Sequence, residues 1–169
     1  PIASLEKHFP GGAIVRAMPN TPAAIGRGIT AAVANRNVTT VQRGLADELL
    51  AAVGEVVWVD DESLLDAITA VSGSGPAYVF YLVEALAQAA RNQGFDDTQA
   101  MLLARQTVIG AAALMEADPA DAATLRANVT SPNGTTAAAL AVLMADDGIA
   151  PVIDKAVDLV GGVDIGVLP

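Results

Sequence analysis

Two long segments, Pro76 to Gln93 and Thr98 to Ala117, read as helices that are apolar on nearly every face, and this limits the available folds more than any other feature of the chain. In the first, Glu84, Gln88, Arg91 and Asn92 share one stripe at helical spacing, while Val79, Phe80, Leu82, Val83 and Leu86 cover the other faces. In the second, Arg105-Gln106-Thr107 interrupts a long apolar surface. Such helices belong in a core or an interface. Apolar residues make up 53% of the 169 and mean hydropathy is +0.46, much of it from alanine, which favours closely packed helices. No unbroken apolar run reaches the roughly 18 residues that would mark a membrane span. A chain of this length has a limited interior, so the excess predicts a large apolar protein interface. Arg105 either pairs with a carboxylate there or snorkels at its edge.

The pattern changes at Ser63. Before it come a helix from Ile2 to Phe9, closed by Pro10-Gly11-Gly12, and a short buried strand from Ala13 to Met18. Pro19 and Pro22 fix an irregular loop after that strand, the position where open α/β sheets bind ligands. A second strand, Gly28 to Ala34, leads to an amphipathic helix from Val38 to Val53, with Leu45, Leu49 and Leu50 inward and Arg43, Asp47 and Glu48 outward. Gly54 caps that helix, and Glu55 to Val59 forms a third strand. This β-α-β arrangement resembles the end of a doubly wound sheet. Three strands are too few to complete one, and the chain begins at Pro1 rather than Met, so it is expected to be a piece of something longer. Gly26-Arg27-Gly28 and Gly73-Ser74-Gly75 both lack the third glycine and the preceding strand of a dinucleotide fingerprint.

Beyond Ser63 the chain reads as helical throughout. A helix from Leu64 to Val71 is broken by Ser72-Gly73-Ser74-Gly75, with Ser74 as cap and Pro76 in the first turn of the next helix. Asp121 caps a short helix through Arg126. That helix delivers the turn Thr130 to Thr136, and an alanine-rich helix follows, started by Thr135 or Thr136 as N-cap. A last helix runs from Pro151 to about Val160, and Gly161 to Pro169 reads as a tail. The fold class is therefore an α/β remnant of a doubly wound sheet, residues 1–61, followed by an all-α domain, residues 62–169.

Chemistry is narrowed by what is missing. Without cysteine there is no disulfide, thiolate nucleophile or Cys-ligated metal, which fits a reducing compartment such as the cytoplasm. One histidine, His8, cannot build a multi-His metal site, and it reads as a solvated helix-end imidazole. A net charge of −10 argues against nucleic acid or an anionic membrane as partner. The turn Asn128 to Thr136, by contrast, offers unpaired amides and hydroxyls at the positive end of a helix dipole, suited to a carboxylate or phosphate. From spacing alone the same residues are read first as an ordinary capped turn between helices.

Four ordered motifs carry a resemblance. Arg16-Ala17-Met18-Pro19-Asn20-Thr21-Pro22, Ser72 to Tyr78, Gln106 to Ala112 and Val129 to Thr136 are similar, in order and spacing, to successive motifs of pyrroline-5-carboxylate reductases. The last resembles that family's Ser-Pro-Gly-Gly-Thr-Thr signature, with Asn133 for its first glycine, a mild change because Asn tolerates the left-handed region. The likeness covers roughly residues 1 to 160; the tail departs from the family's charged final helix. It implies the end of a Rossmann domain, lacking its glycine-rich phosphate loop, followed by a helical domain that pairs two subunits and binds substrate. It further implies NADPH or NADH as cofactor, a homodimer or ring of dimers, and reduction of 1-pyrroline-5-carboxylate to L-proline, the last step of proline biosynthesis. By the same resemblance Met18, Pro19, Asn20 and Thr21 contact the nicotinamide. Thr130, Ser131, Asn133, Gly134 and Thr135 hold the substrate, and the Thr136 hydroxyl meets the ring nitrogen as the catalytic group. Two other readings remain at this level: a non-catalytic dimerisation module that binds a small acid, and a β-hydroxyacid dehydrogenase relative. The latter family's helical lysine has no counterpart before Lys155.

Overall fold

The central strand of the sheet, β2 (Gly28–Ala34), is built from small and β-branched residues because it is covered on both faces. Its neighbours are β1 (Val15–Pro19), which pairs antiparallel with Met18 opposite Ala31, and β3 (Gly54–Trp58), which pairs parallel with Ala32 opposite Trp58. The structure, a computed structural model, describes residues 1–161. The helices are α1 (Ile2–His8), α2 (Thr40–Ala51), α3 (Leu64–Ile68), α4 (Gly75–Asn92), α5 (Asp97–Ala117), α6 (Ala122–Asn128), α7 (Thr135–Leu143) and α8 (Ile149–Gly161). Of the segment read as a tail, everything from Gly162 onward lies outside the described residues. The described residues form two compact units, one of residues 1–77 with residues 156–161, the other Tyr78–Lys155.

In the first unit Ala31 and Val33 pack with Leu65 of α3, joined by Ile2, Val59 and Ile68. Side chains alternate across a strand, so Trp58 points to the opposite face from this cluster. There α2 meets it: Trp58 Nε1 donates to Asp47 at 2.7 Å, and the Arg43 guanidinium stacks 4.3 Å above the ring. This corrects the expected orientation of α2. Arg43 and Asp47 face β3 through Trp58, whereas Leu45 and Leu49 are exposed and only Leu50 is half-buried. Capping by Thr39, whose hydroxyl accepts from the Gln42 amide while the Gln42 side chain accepts from the Thr39 amide, starts the helix. The expected buried strand from Ala13 to Met18 is likewise corrected: β1 is an edge strand with no buried residue, and only Ile14, just before it, is buried.

The parallel β2-α2-β3 unit is the expected remnant of a doubly wound sheet. Close approach fixes its register. Gly54 sits opposite Gly28 with φ +143°, and a Cβ there would lie 2.0 Å from the Gly28 carbonyl oxygen.

The segment after α3 also departs from expectation. Residues Thr69–Gly73 continue the helix as a wide π turn closed by the Ser74 amide on the Thr69 carbonyl at 2.8 Å. Ser74, at φ −82° and ψ −22°, is part of the helical path and does not cap α4. In the second unit, α5 starts from an Asp96–Gln99 capping box and α6 from Asp121, whose carboxylate accepts from the Thr124 amide at 2.7 Å. α5 is long and apolar enough on average to cross a membrane, with Arg105 and Gln106 at its centre. Only Ala87 of α4 and Ala100 and Ala104 of α5 are buried within these two helices, while Phe80, Tyr81, Leu102 and Ile109 stand more than half exposed.

Candidate active site

Each unit carries one of the two predicted site regions. In the second unit α6 ends at Asn128, and the chain turns through Val129, with the Thr130 amide bonded to the Ala127 carbonyl at 3.0 Å. The Thr130 hydroxyl donates to the Arg126 carbonyl at 2.6 Å, satisfying one of the orphan acceptors at the helix end. A tight turn follows, in which the Gly134 amide donates to the Ser131 carbonyl at 3.0 Å. Asn133 takes φ 57°, alone among described non-glycine residues in being left-handed, so the sequence argument for tolerance of Asn there holds.

Gly134, not Thr135 or Thr136, is the N-cap of α7, at φ −81° and ψ 173°. The correction matters chemically. A Ser or Thr cap would have turned its oxygen onto the first amides of the helix, whereas Gly134 has no side chain and α7 has no side-chain cap. The amides of its first turn therefore stay available, and the hydroxyls of Thr135 and Thr136 are not consumed in capping. A Cβ on Gly134 would sit 2.3 Å from the Ser131 Oγ, a side-chain end that can rotate away, and 3.1 Å from the Ser131 carbonyl oxygen, so a larger residue there would displace the Ser131 hydroxyl. Ser131 and Thr135 are exposed, Thr136 half-buried. Together they form an open, donor-rich surface at a helix amino terminus, a setting that binds carboxylates and phosphates.

The other region lies in the first unit at the end of β1. Pro19 closes the strand, Asn20 is extended, and Pro22 opens a 3-10 turn from Thr21 to Ile25 that ends at left-handed Gly26. The loop is held against the π turn at two points. Asn20 Nδ2 donates to the Ser72 carbonyl at 3.1 Å, and Thr69 Oγ1 lies 3.0 Å from Met18 Sδ. Met18 and Asn20 are half-buried, while Pro19 and Thr21 are exposed. The sequence placed Ser72 in a motif but gave no sign that Asn20 reaches it. Nor did it indicate Thr69, for which a tertiary contact leaves no local pattern.

Below this loop Arg16 Nη1 donates to Glu62 Oε1 at 2.6 Å, and the Ile2 amide donates to the same oxygen at 2.9 Å. Partial burial pushes the Glu62 carboxyl up, but the Arg16 and Ile2 bonds together outweigh it and hold the group below the ordinary glutamate value. Neither region contains a glycine-rich phosphate turn: Gly26-Arg27-Gly28 leads into a strand and Gly73-Ser74-Gly75 continues a helix. Among the described residues no cluster of three or more His, Cys, Asp or Glu could hold a metal ion. His8 is exposed on α1, its Nδ1 2.9 Å from the Ser4 carbonyl.

Comparison with known proteins places this geometry. The family model for pyrroline-5-carboxylate reductase dimerisation matches residues 62–160. A pyrroline-5-carboxylate reductase of Synechocystis is 49% identical over 82% of this chain and 52% of its own length, and one of Pseudomonas aeruginosa 43% identical over 94% and 58%. The chain thus spans a little over half the length of these relatives. A solved pyrroline-5-carboxylate reductase from Coxiella burnetii superposes with a TM-score of 0.90 at 40% identity, covering 95% of this chain and 60% of that one. The Plasmodium falciparum pyrroline carboxylate reductase, crystallised with NADP bound, gives 0.80 at 28% identity over 95% of this chain and 64% of its own. The motifs, the sheet remnant followed by helices, and these matches agree: the chain belongs to the pyrroline-5-carboxylate reductase family.

Proposed function

We propose that this chain forms the substrate-binding and subunit-pairing part of an enzyme that reduces 1-pyrroline-5-carboxylate to L-proline, with NADPH or NADH as reductant. The observation that carries the reading is the uncapped amino terminus of α7, where left-handed Asn133 and side-chain-free Gly134 leave a helix start open to an anion. Residues 1–61 are the end of the dinucleotide-binding domain and 62–169 the helical domain. The enzyme is a cytoplasmic homodimer, or a ring of dimers, with no nucleic-acid or membrane partner. The exposed apolar faces of α4 and α5 support the pairing.

The substrate carboxylate rests on the Thr135 amide with the Ser131 and Thr135 hydroxyls beside it, while Gly134, its own amide given to the Ser131 carbonyl, leaves the helix start uncovered. Thr130, its proton already given to the Arg126 carbonyl, fixes the turn, and Asn133 supplies the backbone reversal. Thr136, one residue into the helix, meets the ring nitrogen and sets the C=N carbon toward the reductant. No general acid is required of the protein, since solvent can protonate the imine.

The loop Met18 to Thr21 fits the nicotinamide end of the cofactor. It gives a rigid, largely apolar shelf of Met18 and Pro19, with no phosphate cradle. When bound, the reduced nicotinamide supplies the hydride. Full-length enzyme mixed with NADPH or NADH and the cyclic imine should consume reduced cofactor and yield L-proline in equal amounts. Binding of the acid without cofactor consumption would establish a non-catalytic module instead.

A further inference from the structure

We propose that Asn20 is a positioning residue for hydride transfer: its carboxamide is a two-ended strut that fixes the Met18–Thr21 loop against the π turn before α4. The inference rests on the reading of that loop as the nicotinamide contact. Asn20 Oδ1 accepts from the Ile29 amide at 3.0 Å and Nδ2 donates to the Ser72 carbonyl at 3.1 Å, so donor and acceptor are each engaged with backbone from a different element. The Asn20 amide also donates to the Ile29 carbonyl at 3.2 Å, which clamps the loop to β2 from both sides.

The reason the Ser72 carbonyl needs an outside donor is legible in the chain. In a regular helix it would accept from the amide four residues on, and that residue is Pro76, which has no N–H. The next amide, Ala77, donates to the Ser74 carbonyl at 2.9 Å. Asn20 therefore answers an acceptor that Pro76 leaves open, and the two residues work as a pair across the loop and the helix start. Met18 is seated by the same turn. Thr69 gives its hydroxyl proton to the Leu65 carbonyl at 2.7 Å and lies against Met18 Sδ, and Gly73 of the same turn lies beside the methionine methyl. With both ends of its side chain engaged, Asn20 acts on the cofactor through the placement of Met18 and Pro19 rather than by touching it.

The test uses Asn20→Asp and Asn20→Ala in the full-length enzyme, read by steady-state kinetics, thermal melting and amide hydrogen exchange of residues 69–75. Asp keeps the acceptor for the Ile29 amide and loses the donor to Ser72, so it breaks only the strut toward the π turn. Both variants should lower kcat by about tenfold or more, with KM for the imine within about threefold, since a small misplacement of a reacting group is costly. Exchange in 69–75 should accelerate in both. A variant that melts lower yet keeps its kcat would reduce Asn20 to a structural role and overturn the proposal, as would unchanged exchange in 69–75. A wild-type enzyme that fails to reduce the imine overturns the proposed reaction, while accelerated exchange in the Asp variant would still establish the strut.

Discussion

Arg16 on β1 and Glu62, just ahead of α3, meet at 2.6 Å, and the Glu62 oxygen that accepts from Arg16 also accepts from the Ile2 amide. One carboxylate thus ties the first helix, the edge strand and the start of the helical region. Its pKa is held below the ordinary value, so the sign of its pH effect follows. The stabilisation is fully present above the unfolded value, about 4.3, and is lost as pH falls through the lower folded value. Glu62→Gln should cost about 1 kcal/mol at neutral pH, a figure kept small by solvent screening of two part-exposed groups. Melting curves should show the difference from wild type shrinking below pH 4; a constant difference down to pH 2 or so would contradict the assignment.

The Gly28–Gly54 approach predicts opposite outcomes for one kind of substitution. Gly54→Ala places a Cβ 2.0 Å from the Gly28 carbonyl oxygen at a φ of +143° and should cost roughly 3 kcal/mol or more. Gly44→Ala, on α2 with nothing within 4 Å of the added carbon, should stabilise by about 0.5–1 kcal/mol. Fluorescence of Trp58, the chain's single tryptophan, reports unfolding in both. Equal destabilisation would mean that the Gly54 contact does not set the register.

Thr30 on β2 is fully buried, and its hydroxyl oxygen has no partner among the described residues. Thr30→Val keeps the branched shape and removes the unsatisfied group, so denaturant titration should show unchanged stability or a gain of up to about 1 kcal/mol. A loss of more than about 1 kcal/mol would mean that the hydroxyl is bonded in solution.

Subunit pairing should be inseparable from folding. Phe80 is 63% and Leu102 58% exposed in the single chain, and surfaces of this kind do not stay bare in water. Sedimentation should find dimers or larger assemblies at micromolar concentration, with a melting temperature that rises with concentration. Leu86→Asp should dissociate and unfold the protein together. A folded monomer of either form would refute the pairing.

How much was legible follows from the range of each signal. The helices α4 and α5 announced themselves because apolar periodicity over that length is strong, and the turn after α6 because Pro, Asn and Gly punctuate locally. The antiparallel pairing of β1 was not read from the sequence, although the segment Asn20 to Arg27 is too short for a parallel crossover. The orientation of α2 was not, because Arg43 and Asp47 read as outward until Trp58 is placed between them. Nor was the π turn, where the Ser72 carbonyl meets the side chain of Asn20 from far upstream in the chain. At the candidate site, Thr130 to Thr136 were found as a turn, but that Gly134 and not a threonine caps α7 is a matter of backbone conformation, extended at Gly134, that residue types alone do not give.

The most direct measurement of the central claim is kcat for Thr136→Ala in the full-length enzyme, set beside Thr136→Ser and Ser131→Ala. If the Thr136 hydroxyl orients the imine as proposed, removing it should lower kcat roughly ten- to a hundredfold, about 1.4 to 2.8 kcal/mol of barrier. The serine variant should keep most activity, and Ser131→Ala, which leaves the backbone donors in place, should mainly raise KM. A Thr136→Ala enzyme that melts lower but turns over at the wild-type rate would show that Thr136 only builds the helix and would contradict the assignment.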